Sequence, residues 1–253
     1  MLISITAFAQ EAIDEDPEIV QNNINYRIAQ SQTELENYNY YKAKKNLDEA
    51  LDLAEKASNK KSLGIIYAIK GRLELIIEEE DKAIKSLNKA IEIQRIINDN
   101  VNLGSSYKTF GDIYLAKEDF YSALDSYTAA KSKFEEEDLN EELAETLLYE
   151  GKTYNALKNY KKARDVVEQS LAIAKKYDYL KIQSDALINH ARIYNKLGNK
   201  EKALEVALSS LQIARTNSFT NILNEGYAVV SDLYNSLEEH KLSRDYLNAH
   251  LKL

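Results

Sequence analysis

The sequence has no cysteine, no tryptophan, one methionine, one proline and seven glycines among 253 residues. Without cysteine there is no disulfide framework, no thiolate nucleophile and no sulfur-based zinc site. So few helix breakers, set against abundant Ala, Leu, Lys, Glu and Ile, predict helix throughout. No apolar run approaches the ~20 residues that span a bilayer. An excess of positive charge is lacking too. The net charge is −8, so the chain offers no global field for phosphate backbones, and no nucleic acid is expected on this domain. Short basic clusters (Lys42, Lys44 and Lys45; Lys158, Lys161 and Lys162) read as solvated helix faces. The three histidines, His190, His240 and His250, stand in no metal-ligand spacing. No Gly-rich phosphate loop or serine-nucleophile motif occurs. A catalytic role and a cofactor are therefore not expected.

What the sequence does have is a period of 40 residues. Ser31, Gly71, Gly111, Gly151, Ala191 and Ser231 form one column of small residues. Ala43, Ala83, Ala123, Ala163, Ala203 and Ser243 form a second. A third runs Ala50, Ala90, Ala130, Ser170, Ser210 and His250. Three columns in phase mean one structural unit copied six times. Such units bury their apolar faces by stacking on their neighbours.

Each unit reads as two amphipathic helices. In the second unit, helix A is expected over about 62–77 and helix B over about 82–97, with Glu78-Glu79-Glu80-Asp81 as the turn. Ser58, Asn98, Asp138, Asp178 and Ser218 recur between units and can each cap a helix N-terminus. The small columns predict close approach of helix backbones. Tyr114, Tyr154, Tyr194 and Tyr234 fill one column of large residues, and Leu47, Leu87, Tyr127, Val167, Ala207 and Leu247 another. Glu34 and Glu74 stand where later units carry the tyrosine.

Tyr107, Gly111, Tyr114, Ala123, Tyr127 and Ala130 follow in an order and spacing that resembles the tetratricopeptide repeat. Leu147, Gly151, Tyr154 and Ala163 match again, as do Leu187, Ala191, Tyr194 and Ala203. The resemblance covers 20–253. It departs from the family in period, about 34 residues there, and in lacking the proline after helix B. The extra length is expected between helix B and the next helix A, lengthening both by part of a turn. The resemblance implies an all-α fold, a right-handed α-α superhelix of about six helix pairs, with helix A lining a concave groove and helix B the convex back.

On that implied groove the sequence places Lys152, Asn155, Asp185, Arg192, Asn195, Asp232 and Asn235, with Glu145 and Glu225 nearer the helix starts. The asparagine column is the sharpest hint. A primary amide donates and accepts, which suits an extended peptide backbone; the alternative is that asparagine simply follows tyrosine at a solvated position. The carboxylate-clamp set known in this family is not reproduced. Ile28, Leu35, Ile65, Ile69, Leu75 and Ile76 make the same face apolar in the first two units. They are expected either to anchor a hydrophobic partner or to be covered by the segment before Ile24. His190 shares a column with Lys70, Phe110 and Glu150, which reads as a tolerant position.

At the N-terminus, 1–9 reads as the remnant of a signal peptide, with Ala7-Phe8-Ala9 as the small-x-small cleavage pattern. Residues 10–19 read as a linker and 20–253 as the repeat domain. Export to the periplasm or cell envelope is expected on this pattern; otherwise the chain is cytoplasmic. Leu247, Leu251 and Leu253 face where another helix would lie, so continuation beyond 253 is expected. Long arrays of this kind resemble the sensor regions of bacterial envelope signalling proteins. The expected function is a non-catalytic protein- or peptide-binding module in signal transduction. The alternative is a structural scaffold for an envelope or secretion complex. No membrane contact by the repeats themselves is expected.

Overall fold

The computed structural model describes residues 16–252. The proposed signal remnant, and Leu253, lie outside the described residues. Twelve helices are found among the described residues, and no strand. They are α1 (Pro17–Glu36), α2 (Tyr40–Lys56), α3 (Lys60–Ile76), α4 (Glu80–Ile96), α5 (Asn100–Ala116) and α6 (Phe120–Glu136). Then follow α7 (Asn140–Ala156), α8 (Tyr160–Lys176), α9 (Leu180–Lys196), α10 (Lys200–Thr216), α11 (Thr220–Ser236) and α12 (His240–His250). Odd numbers are the A helices and even numbers the B helices. The all-α expectation holds. None of these helices is long and apolar enough to cross a membrane. The first helix starts at Pro17, inside the stretch read as linker; Asp16 caps it by accepting from the Glu18 amide at 2.9 Å.

From α2 to α11 every helix has 17 residues, and three-residue turns join them. The 40-residue unit is thus two halves of equal length with the same turn at both junctions. This corrects the expected acidic turn: 77–79 make it, and Glu80 and Asp81 already belong to α4. It also corrects the capping column. Ser58, Asn98, Asp138, Asp178 and Ser218 all have positive φ, between 51° and 57°, one residue before the cap. They end the preceding helix rather than start the next. The geometry explains why: the Ser58 amide bonds back to the Glu55 carbonyl and the Asn59 amide to the Ala54 carbonyl, satisfying helix-end acceptors. The N-cap itself is Asn59, whose side chain accepts from the Ser62 amide at 3.0 Å. Asp119, Asn159 and Asn199 do the same in later turns. At Leu139, Tyr179 and Phe219 the cap position is apolar and makes no side-chain cap bond.

The chain divides into two compact units after Thr109, within α5. In the first, Ile24, Leu47, Ile66 and Leu73 form the fully buried centre of the core. Gly71 lets α3 and α4 meet: a Cβ there would lie 2.6 Å from Cγ of Leu87. Gln94 crosses the next interface, its amide donating to the Gly64 carbonyl at 3.2 Å and accepting from Ser106 at 2.9 Å. Glu74, at the position of the later tyrosines, is buried and accepts from the Ser86 hydroxyl at 2.6 Å. In the second unit the same two positions carry Tyr234 and Tyr246, whose rings stack at 5.5 Å. The residue change at one position is answered across the helix pair.

In the second unit Gly151 sits against Val167, and Gly226 against Leu211. Where the small column holds Ala191, the large column holds Ala207, and both are fully buried. Ser184 and Ser210 cross-bond, each hydroxyl donating to the other's carbonyl at 3.0 and 2.7 Å. The column of Leu47 is buried in its first five copies, but Leu247 is 46% exposed and Leu251 73%.

Candidate functional site

The A helices lie side by side. Neighbours α7 and α9, and α9 and α11, touch directly in the second unit, as α1 and α3 do in the first. Within either unit no such pair of B helices is in contact among the described residues. Within each unit the A helices therefore form the continuous layer, and in the second unit a face made of their side chains runs across helices.

All seven residues read from the sequence lie in the second unit. Lys152 on α7 reaches Asp185 on α9, Nζ to Oδ2 at 3.0 Å. Arg192 on α9 reaches Glu225 on α11 at 3.1 Å. Both pairs span 33 residues, so the same diagonal contact is made at successive steps of the array. The first pair is about three-quarters covered by protein, and the second is more open. Asp185 is held further by Asn189, whose amide donates to its Oδ1 at 2.7 Å and to its carbonyl at 2.9 Å. The Lys152 ammonium also lies 4.6 Å from the centre of the Tyr149 ring, in cation–π geometry. Asp232 is exposed.

The asparagine column grades outward. Asn155 is half-buried, and its Oδ1 is fully buried with no hydrogen-bond partner. Asn195 is half-buried. Asn235 is exposed, with Oδ1 3.2 Å from Nδ1 of His240. The same column carries Leu35, Leu75 and Leu115 in the earlier helices. Of the apolar positions on that face of the first unit, Ile28, Leu35 and Ile69 are buried and Ile76 is 44% exposed. A cavity of about 300 Å³ opens there between Gln32, Leu35, Glu36, Arg72 and Ile76.

Carboxylates shape the electrostatics of the second unit. Tyr127 is fully buried and donates to Asp112 Oδ1 at 2.8 Å. Burial, with Asp112 beside it, raises its pKa far above the ordinary phenol value. Tyr149 is raised by burial and then by Asp112, Glu145, Asp185 and Glu225. Four carboxylates from α5, α7, α9 and α11 thus act on one phenol.

Sequence reading missed Asn189, because its column also holds Ala29, Ile69, Thr109, Tyr149 and Val229. His190, read from its column as a tolerant position, is only 5% exposed. No group of residues able to hold a metal ion is found among the described residues.

Comparison with known proteins bears on this geometry. The family model Tetratricopeptide repeat matches residues 100–176 and 142–216. The model Anaphase-promoting complex subunit 5 matches residues 28–110. No curated protein matches the sequence. Among solved structures, a Signal Transduction ATPase with Numerous Domains from Pyrococcus horikoshii, with a tetratricopeptide repeat sensor, is 21% identical with a TM-score of 0.76. The match covers 98% of this chain and 39% of that one, so the chain spans well under half its length. Aspartyl phosphate phosphatase F from Bacillus subtilis is 14% identical with a TM-score of 0.73, covering 93% of this chain and 71% of that one. A Rap protein complexed with Competence and Sporulation Factor is 12% identical with a TM-score of 0.71, covering 97% and 68%. At these identities the likeness is one of fold. Tetratricopeptide repeats are generally protein-interaction modules, and the fold is a scaffold that is generally non-enzymatic. The 40-residue register, the paired helices and these matches together show a tetratricopeptide-repeat fold, with residues 100–216 matched by that family's own model.

Proposed function

We propose that the chain is a peptide-binding module of a signal-transduction protein, and that its ligand lies along the A-helix face of the second unit. The observation that carries this reading is the pairing of Lys152 with Asp185 and Arg192 with Glu225. Charged groups that already hold one another are poor hands for a ligand's charge. The asparagines between them are left as the groups that can meet a peptide backbone, which asks for one donor and one acceptor per residue. Asn195 can supply both and Asn155, whose Oδ1 is buried, its amide donor from the preceding A helix, and Asn235 continues the column. Lys152, Asp185, Arg192 and Asp232 border it and set which side chains are admitted. The match to a signal-transduction protein with a tetratricopeptide repeat sensor supports the signalling part of the reading.

The test is selection of extended peptides from a displayed random library on the immobilised protein. Replacing Asn155, Asn195 and Asn235 together by alanine should abolish binding of the selected peptides while the melting temperature holds. Binding that survives the triple change would place the ligand elsewhere. Export is proposed on the Ala7-Phe8-Ala9 pattern alone. Mass spectrometry of the protein expressed in a bacterial host should find Gln10 at the mature N-terminus, and an intact Met1 would refute it.

A further inference from the structure

His190 is a buried titratable side chain for which the binding reading has no use. It is 5% exposed, and neither ring nitrogen has a hydrogen-bond partner. Its ring stacks on Tyr194 of the same helix, centroids 4.3 Å apart. From α8, the Glu168 carboxylate comes to 3.4 Å from Nε2, without the alignment of a hydrogen bond. Arg164, also on α8, lies 3.9 Å from Glu168 and is closer still to Asp165, at 2.8 Å. From α10, Lys202 acts on the ring and is itself paired with Glu205 at 2.9 Å. The imidazole is thus packed at the junction of α8, α9 and α10, in a slot that suits an apolar ring. Phe110 and Val230, at the same position of α5 and α11, are buried likewise.

A neutral imidazole fits that slot at the cost of unmade hydrogen bonds. An imidazolium does not fit it. Its charge would be buried, and its single carboxylate neighbour is shared with Arg164. Lys202 adds a second repelling cation. Burial is the leading cause of a pKa below the ordinary histidine value, with Arg164 and Lys202 acting in the same sense and Glu168 against them.

We propose that His190 is an acid-operated latch on α9: its protonation expels the ring and loosens α9 from α8 and α10. The sign follows from linkage. The folded state binds the proton less readily than the unfolded or opened state. The latch is therefore fully closed above pH ~6.5, and its hold is lost as the pH falls through the folded-state value. Each unit by which burial depresses that value is about a tenfold change in the opening equilibrium. Asp185, Arg192 and Asn195 all ride on α9, so acid would disturb the proposed peptide face from behind. That consequence rests on the binding reading; the latch does not.

The experiment is hydrogen exchange of the full chain between pH 7.5 and 5, corrected for intrinsic rate, with NMR titration of His190. His190 should titrate below the ordinary histidine value of ~6.5, and exchange of the α9 amides should rise in the same pH range. His190→Phe should keep α9 protected across it. Glu168→Gln, which removes the one group favouring protonation, should move the opening to lower pH. The proposal is overturned if His190 titrates at ~6.5 or above while α9 stays protected, or if Glu168→Gln leaves the profile unmoved. It is overturned equally if His190→Phe opens as the parent does. None of these readings involves a peptide, so failure of the latch and failure of the binding reading are separate results.

Discussion

A methyl group on Gly111 would lie 2.6 Å from Cδ1 of Tyr127, well inside carbon–carbon contact. The tyrosine cannot swing away freely, because it is fully buried and its hydroxyl is tied to Asp112. Gly111 is therefore a packing glycine inside a helix, where glycine is otherwise unfavourable by roughly 0.5–1 kcal/mol relative to alanine. Gly111→Ala should destabilise by about 1–3 kcal/mol despite its better helix propensity. The same change with Tyr127→Val, which recreates the Gly151–Val167 pairing with an added methyl, should be clearly non-additive. Urea denaturation of the two single variants and the double variant measures the coupling. Simple additivity would mean that the ring does not set the helix spacing.

The turns give the opposite sign. Lys158 is exposed and has φ 60°, while Gly198 has the same place in the next unit with φ 85°. A left-handed backbone costs a residue with a side chain roughly 1–2 kcal/mol, and glycine escapes most of that. Lys158→Gly should stabilise by about 0.5–1 kcal/mol. Gly198→Ala should destabilise by about 1 kcal/mol, although no atom lies near its missing Cβ. Thermal melts of both variants check the pair. Equal shifts in one direction would contradict the backbone assignment.

These turns also show what the sequence made legible. The small columns were readable because Gly71, Gly111 and Gly151 repeat one residue type for one reason, close approach. The boundary residues were misread by a single position. Ser58, Asn98 and Asp138 have the side chains of N-caps, yet the same short polar side chains also tolerate a left-handed backbone. Residue type alone does not separate the two roles. The pairing of Lys152 with Asp185 was hidden for another reason. Its spacing of 33 joins different columns on different helices, so it shows in no single column. His190 was hidden because Lys70, Phe110 and Glu150 share its position. A column of mixed chemistry looks exposed, but here Lys70 reaches Asp48 and Glu150 reaches Lys131, each across to the preceding B helix.

The Lys152–Asp185 pair gives a further test. It is mostly covered, and Asp185 is also held by Asn189, so the pair should contribute about 1 kcal/mol. Asp185→Lys places two cations together and removes an acceptor from Asn189, and should destabilise by about 1–2 kcal/mol. Adding Lys152→Asp should recover part of the loss, since the pair is restored in reverse while the Asn189 bond is not. If the double variant is no more stable than Asp185→Lys alone, the ion pair is not what joins α7 to α9.

Alkaline stability follows from the buried phenols. Tyr127 and Tyr149 are both raised above the ordinary tyrosine value, by burial first and by Asp112 next. A raised pKa on an acid that is neutral when protonated means the folded state keeps its proton where the unfolded state loses it. The stabilisation is full below pH ~10 and is lost as the pH rises above that value. The chain should therefore unfold in alkali with simultaneous ionisation of these tyrosines, seen as a step in phenolate absorbance that coincides with loss of helix. Tyr127→Phe removes one of the two groups, and should shift the transition to higher pH. It also leaves Asp112 without its hydroxyl donor, so at pH 7 it should be less stable by about 1 kcal/mol. A variant with a raised neutral stability and an unmoved alkaline transition would refute both parts: the bond to Asp112 would then not stabilise the fold, and ionisation of Tyr127 would not drive its alkaline loss.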